Sequence, residues 1–275
     1  IAEVTDITTP TNDNTPSYVF SSDEAGTITF DFNGTGLTVS SGTSAGATNN
    51  TVTFNTVPEG TYSGITIKVT DTAGNDSNIL TIPDFSVDTT APTIGEVTPI
   101  STNTNDNTPS YVFSSNEAGT ITFDFNSTGL TVSTGTSAGA TNNTVTFNTV
   151  PPGTYSGITI KVTDTAGNDS NILTIPDFTV DTTAPSLNTV TIASNNSINT
   201  EKAKENDVIT LSFTASETIT TPTVSFSIGS TVVSPSVSGS GSNYTATYTV
   251  LFGQNGLVTF SISSYSDSAG NAGPT

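Results

Sequence analysis

Apolar side chains in this chain come in short runs that alternate with polar ones. Ile28, Phe30 and Phe32 are separated by Thr29 and Asp31, and Ile65, Ile67 and Val69 by Thr66 and Lys68. A period of two predicts strands with one buried face. One unit reads as follows: a first strand over Glu3 to Ile7; a second over Ser17 to Ser22 with Tyr18 and Phe20 inward; a third over Thr27 to Phe32; a weakly patterned, Gly-rich stretch from Leu37 to Asn50 with one short strand; then Thr51 to Phe54 with Val52 and Phe54 inward; a corner, VPEGTY, at Val57 to Tyr62; the strand of Ile65, Ile67 and Val69; and a closing strand over Ile79 to Val87. The intervening segments TNDNTP (Thr11 to Pro16), SDEAG (Ser22 to Gly26) and DTAGND (Asp71 to Asp76) are built from the residues that favour tight turns. In the closing strand Leu80 and Ile82 share one parity, and Phe85 and Val87 the other, with Pro83 and Asp84 between them. That shift predicts a bulge, and the proline predicts an edge strand. Seven or so short strands with no helical period predict an all-β antiparallel sandwich. Tyr62, just before the Ile65 strand, stands where a tyrosine corner is expected.

The unit recurs. Thr11 to Pro92 matches Thr104 to Pro185 at a constant offset of 93 residues, and only five of the 82 positions differ: Asp23/Asn116, Gly34/Ser127, Ser41/Thr134, Glu59/Pro152 and Ser86/Thr179. A diverged third unit carries its own alternating strands, through Ile209, Leu211 and Phe213, then Val224, Phe226 and Ile228, then Tyr244, Ala246 and Tyr248, then Val258, Phe260 and Ile262. It ends shortly after SDSAGN, where the others have TDTAGN, so a closing strand is not seen. Truncation of a longer protein is the simpler expectation, and donation by another chain the alternative. Three tandem immunoglobulin-like sandwiches are therefore predicted, over 1–91, 92–184 and 185–275, joined by the linker VDTTAP at Val87 to Pro92 and again at Val180 to Pro185.

Charge sharpens this picture. With 24 acidic and four basic residues the net charge is −20. Nucleic acid is excluded as a partner, because phosphate contacts need Lys and Arg. No apolar run is long enough for a transmembrane helix, so no membrane insertion is expected. The chain opens in a strand-like run with no secretory signal, as an interior or processed piece would. Without cysteine or histidine there is no disulfide framework, thiolate site or Ser-His-Asp triad. Acidic pairs suit glycosidases, but here they recur in every unit. Lys68 and Lys161 fall on the outward parity of their strands, which argues against buried isopeptide crosslinks.

Strand counting brings certain carboxylates together. If consecutive strands run antiparallel, the turn after the second strand and the turn before the closing strand both lie at the leading end of a unit, where the incoming linker arrives. At the first boundary this unites Asp88 with Glu117 and Asp164, with Asn116 and Asn168 nearby; at the second it unites Asp181, Glu217 and Asp267, with Asn271. Asp23, Glu24 and Asp71 form the corresponding half-site of the first unit. Hard oxygen donors in flexible geometry suit Ca2+ better than Mg2+. Each acid also has a purely structural reading, since Asp in DTAGN makes a good turn residue and Asp88 a good linker cap.

VDTTAP, SSDEAG or TASE, and TDTAGN together resemble bacterial immunoglobulin-like (BIg) domains, the tandem extender modules of large surface adhesins. The resemblance implies an extracellular, cell-surface location, further Ig-like domains in the same longer chain, and Ca2+ between domains that stiffens the array, held by the residues just named. Two departures touch the ligand set: Asn116 replaces Asp23, and the third unit has Ser216 before Glu217. The expected function is a non-catalytic spacer. The alternatives are a subunit of an extracellular filament or surface layer, with identical chains as partners, and a carbohydrate-binding module.

Overall fold

A computed structural model of the chain describes residues 1–274, and throughout them the regular structure is β. In the first copy Ser17–Ser21 pairs with Ala2–Thr5 on one side and Asn49–Phe54 on the other, with Val39–Ser41 beyond. The facing sheet places Gly26–Asp31 between Ser44–Ala45 and Thr66–Asp71, with Leu80–Thr81 outside, and Phe85–Val87 pairs with Gly60–Tyr62. The period of two does what it predicts: Tyr18, Phe20, Val52 and Phe54 are fully buried between the sheets. The second copy repeats this arrangement. The third pairs Val208–Ala215 with Leu187–Ser194 and Asn243–Thr249 in one sheet and stacks Thr231–Val233, Thr223–Ile228 and Val258–Ser263 in the other. Three apolar cores result, with no residue shared between them. Among the described residues no helix is long and apolar enough to cross a membrane.

The first two cores end in the same way. Tyr62 Oη donates to Pro58 O at 2.8 Å, and Tyr155 Oη to Pro151 O at 2.8 Å, so the corner tyrosines tie the strand back to the turn before it. Their rings stack on Phe85 and Phe178 at 5.3 and 5.4 Å. In both of these copies the start of the repeat is zipped to its end. Asn103–Thr104 runs parallel to Phe178–Val180, and in the first copy Thr11 bridges Val87 in parallel fashion.

Three details correct the sequence expectations. The closing segment does not bulge within one strand. Leu80–Thr81 pairs with Thr66–Asp71, whereas Phe85–Val87 pairs with Gly60–Tyr62, so Pro83 and Asp84 break the ladder and the chain changes partners. Proline has no N–H to continue the first pairing, and the switch lets Ile82, Phe85 and Val87 all face the core. The Gly-rich stretch holds two short strands, Val39–Ser41 and Ser44–Ala45, in opposite sheets. Phe260, expected inside, is 41% exposed, because among the described residues Val258–Ser263 is paired on one side only.

Candidate cation-binding junctions between the copies

The turn before the closing segment is shaped by its own aspartate. Asp164 Oδ1 accepts from the amides of Ala166, Gly167 and Asn168 at 2.8, 2.7 and 2.9 Å, and its Oδ2 accepts from Asn168 Nδ2 at 2.9 Å. Asp267 repeats this with Ala269, Gly270 and Asn271. The asparagine then reaches across the boundary: Asn168 Nδ2 donates to Asp88 O at 2.8 Å, and Asn271 Nδ2 to Asp181 O at 2.8 Å. What Asn168 and Asn271 turn toward carboxylate and linker is thus a donor, which positions both. On the other side Asp88 Oδ1 accepts from Thr90 N and Asp181 Oδ1 from Thr183 N, folding each linker around its carboxylate.

The first residue after each linker proline is caught by the turn following the second strand. Thr93 N donates to Asn116 Oδ1 at 2.6 Å, and Ser186 N donates to Ser216 Oγ at 3.0 Å. The oxygen of Asn116 is therefore committed to the linker, and Ser216 does the same work in the third copy. Gly119 permits the close approach that sets Glu117 in place: a Cβ there would lie 2.7 Å from Val162 Cγ1 and nearer still to Thr163 O.

The result is one triad at each boundary. Carboxylate oxygens of Asp88, Glu117 and Asp164 lie within 4.8 Å of one another, as do those of Asp181, Glu217 and Asp267. Among the described residues no lysine is paired with these carboxylates: the ion pairs present join Lys68 to Asp76 and Lys161 to Asp169, both at 2.6 Å. Burial pushes the Glu117 carboxyl up, and the charges of Asp88, Asp164 and Glu59 push it further. Glu217 is raised by burial and then by Asp267 and Asp181. Burial also works upward on Asp164 and Asp267, but the hydrogen bonds from their turns outweigh it and hold both below the ordinary aspartate value. Such a triad can be relieved by a proton on the glutamate or by a cation among the oxygens. Two oxygens on one Ca2+, each 2.3–2.6 Å from the ion, lie at most about 5 Å apart, so the spacing fits that ion. In the first copy Gly26, two residues after Glu24, pairs with Asp71. Asp71 accepts from Asn75 N and Nδ2, and Asp23 and Glu24 are exposed beside it.

Two further sets of contacts hold the boundaries. Asn12 N donates to Ala166 O at 3.1 Å and Asn12 Nδ2 to Gly167 O at 2.9 Å, while Asn105 N donates to Ala269 O at 3.1 Å. The TNDNTP turn of one copy thus docks on the DTAGN turn of the next, in keeping with antiparallel strand order, which puts both at the same boundary. The other set is made by Glu59, whose Oε1 accepts from Thr89 N, Thr89 Oγ1 and Thr90 Oγ1 at 3.0, 2.7 and 2.7 Å. Two concavities lie elsewhere, on the third copy: one of about 310 Å³ beside Thr191, Ser212 and Thr245, and one of about 490 Å³ beside Ile209, Ile228 and Val258.

Sandwiches joined in register by such boundaries have a counterpart among known sequences. The profile described as bacterial Ig-like domain (group 3) matches residues 48–146 and 139–274. The chain belongs to the bacterial Ig-like domain family, group 3. Both matches run across a boundary between copies. No curated protein sequence matches the chain. Similar solved structures include the D00-D0 domain of intimin, at 18% identity over 63% of this chain and 96% of that one, with a TM-score of 0.25. They also include invasin, described as a bacterial integrin-binding protein, at 15% identity over 92% of this chain and 54% of that one, with a TM-score of 0.31. Neither superposition is close enough to carry a residue-by-residue correspondence.

Proposed function

We propose that the chain is a spacer segment of a bacterial cell-surface adhesin, a row of Ig-like domains whose mutual angles are fixed by Ca2+ held at each junction. The observation that carries this reading is the recurrence of one junction at both boundaries: a linker carboxylate, a glutamate from the turn after the second strand and an aspartate from the turn before the closing segment, within 4.8 Å of one another. A lone acidic cluster is common on an acidic surface; the same three-segment cluster at two successive boundaries is better explained by a shared ligand. In this reading Asp88, Glu117 and Asp164, and Asp181, Glu217 and Asp267, supply oxygens. Asn168 and Asn271 hold the linker carbonyls, and Asn116 holds the amide that follows the linker. Glu24 and Asp71, with Asp23 alongside, would offer the matching pair to a linker carboxylate from a preceding domain of the same protein.

The role is mechanical and not catalytic, since its charged groups repeat with the domains and sit at their joints. Its partners are further Ig-like domains of the same chain, and its setting is outside the cell. The test is small-angle scattering and calorimetry on the chain in Ca2+ and in chelator. The expected result is one extended profile in Ca2+, then a broader range of shapes and a lower melting temperature after chelation. Identical scattering and melting in the two conditions would remove calcium from the reading.

A further inference from the structure

The two linkers have the same sequence, VDTTAP, and nearly identical copies lie before them, so a difference in how each linker is held by the copy before it can be traced to one of five positions; the copies after them differ more widely. Most bonds occur at both. Asp88 N donates to Thr11 O, and Asp181 N to Thr104 O, at 2.9 Å. The asparagine clamp and the amide caught after the proline are likewise present twice. Two sets of bonds differ: Asn12 Nδ2 donates to Gly167 O at the first joint, a bond that Asn105 does not repeat among the described residues, and Glu59 holds the first linker. Its Oε1 takes three hydrogen bonds from Thr89 and Thr90, the middle of the first linker. The matching position in the second copy is Pro152, which has no acceptor side chain. Among the described residues the counterparts Thr182 N, Thr182 Oγ1 and Thr183 Oγ1 find no protein partner, and only Thr183 N, held by Asp181, is bonded.

We infer that Glu59 is a latch that fixes the first linker to the body of its own domain, and that the second joint, which faces Pro152, lacks one and is the place where the array bends. This rests on taking the linkers as the joints of a spacer, but not on a bound cation, because every bond of the latch is between protein groups. Glu59 also adds a negative charge near Glu117. That charge is the smallest of the carboxylate influences on Glu117, whereas the latch concentrates three hydrogen bonds on one ionised oxygen, the stronger class of such bonds. The latch also lies within the first copy, between its corner and its outgoing linker, so it stiffens the linker before the next domain is reached. Glu59 is therefore a positioning residue for the joint. It makes the first pair of domains a rigid unit and leaves compliance to the boundary that follows.

The chain has no cysteine, so pairs of spin labels can be placed without background. Thr29→Cys with Thr122→Cys spans the first joint, and Thr122→Cys with Thr223→Cys spans the second; all three positions are exposed. In chelator, the inter-label distance distribution should be narrower across the first joint than across the second. Glu59→Pro, which gives the first corner the residue its sister carries, should widen the first distribution to match. The open population should rise at least about tenfold, the factor that corresponds to ~1.4 kcal/mol. Pro152→Glu should narrow the second. Since the two corners differ only at this position, both variants are expected to fold. Equal widths in the parent chain, or no response to Glu59→Pro, would overturn the latch. Adding Ca2+ separates the two ideas: if neither joint narrows, the calcium reading fails, while the comparison made in chelator still decides the latch.

Discussion

Replacing Glu117 by glutamine should have opposite effects with and without calcium, and the size of each follows from the geometry. The three carboxylates of the first junction have oxygens within 4.8 Å of one another. Two unit charges at that separation repel by about 3.5 kcal/mol at an effective dielectric of 20 and by about 1 kcal/mol in water. Glu117 is only partly buried, and physiological salt screens beyond about 8 Å, so the lower figure, ~1 kcal/mol per pair, is the appropriate scale. Glu117→Gln removes two of the three pairs and keeps an acceptor for Asn116. In chelator the variant should therefore be more stable than the parent by about 2 kcal/mol, which for a domain of this size is a rise in Tm of the order of 10 °C. In Ca2+ the order should invert. A site filled at a hundredfold excess over its Kd adds about 2.7 kcal/mol, and a variant without one of the three charges forfeits most of that gain. Calorimetry in the two buffers reads both effects. A variant that melts at or below the parent in chelator would refute the repulsion estimate, and one that keeps the whole calcium increment would refute the assignment of Glu117 as a ligand.

Other consequences can be checked in the same way. Asn168→Ala removes the donors to Asp88 O and Asp164 Oδ2 and should cost about 1–3 kcal/mol. Asn75→Ala, whose side chain meets Asp71 but no linker, should leave the joint untouched, and hydrogen exchange across the boundary distinguishes the two. The pH dependence has a definite sign. Glu117 is held above the ordinary glutamate value when folded, so its contribution in chelator is complete below the unfolded value and is lost as pH rises through the folded one. Asp164, held low, contributes above the ordinary aspartate value and loses its contribution as pH falls through its lowered one. The stability of the parent relative to Glu117→Gln should therefore decline as pH rises through the glutamate range, and a difference that grows would contradict the raised value. Gly119→Ala should cost about 1–3 kcal/mol through overpacking against Val162 and Thr163, with a loss of calcium response because the turn bearing Glu117 must move. A normal melt with an intact response would show that the turn can give way.

The strands were legible because alternation is a property of neighbours: Tyr18 with Phe20, and Val52 with Phe54, point inward as a pleated strand requires. The triads were legible for a different reason. Once the strands were counted, antiparallel order dictated which turns share an end, and the related turns of the diverged third copy showed the pattern a second time. The closing segment misled because the parity change at Pro83 looks the same whether a strand bulges or leaves one partner for another; only the facing sheet decides that. Asn168 and Asn271 belonged to the acidic neighbourhood by position, but whether an amide presents its oxygen or its nitrogen depends on what lies opposite, here Asp88 O and Asp181 O. Glu59 was invisible as a functional residue because its partners lie 30 residues away in a linker that reads as a plain tether.

The parallel zip between the beginning and end of each repeat bears on how the chain responds to pulling. Tension transmitted through the linkers draws Asn103–Thr104 and Phe178–Val180 past each other along their length, because the two strands run in the same direction and are loaded from opposite ends. Their hydrogen bonds, with Asp181 N to Thr104 O and Thr179 N to Thr102 O among them, are then strained together in shear and must break together, where strands peeled from one end would surrender them singly. Thr11 and Val87 put the same arrangement in the first copy. In the proposed spacer role, pulling would therefore be met by a cooperative lock in the body of the domain before any strand could peel away.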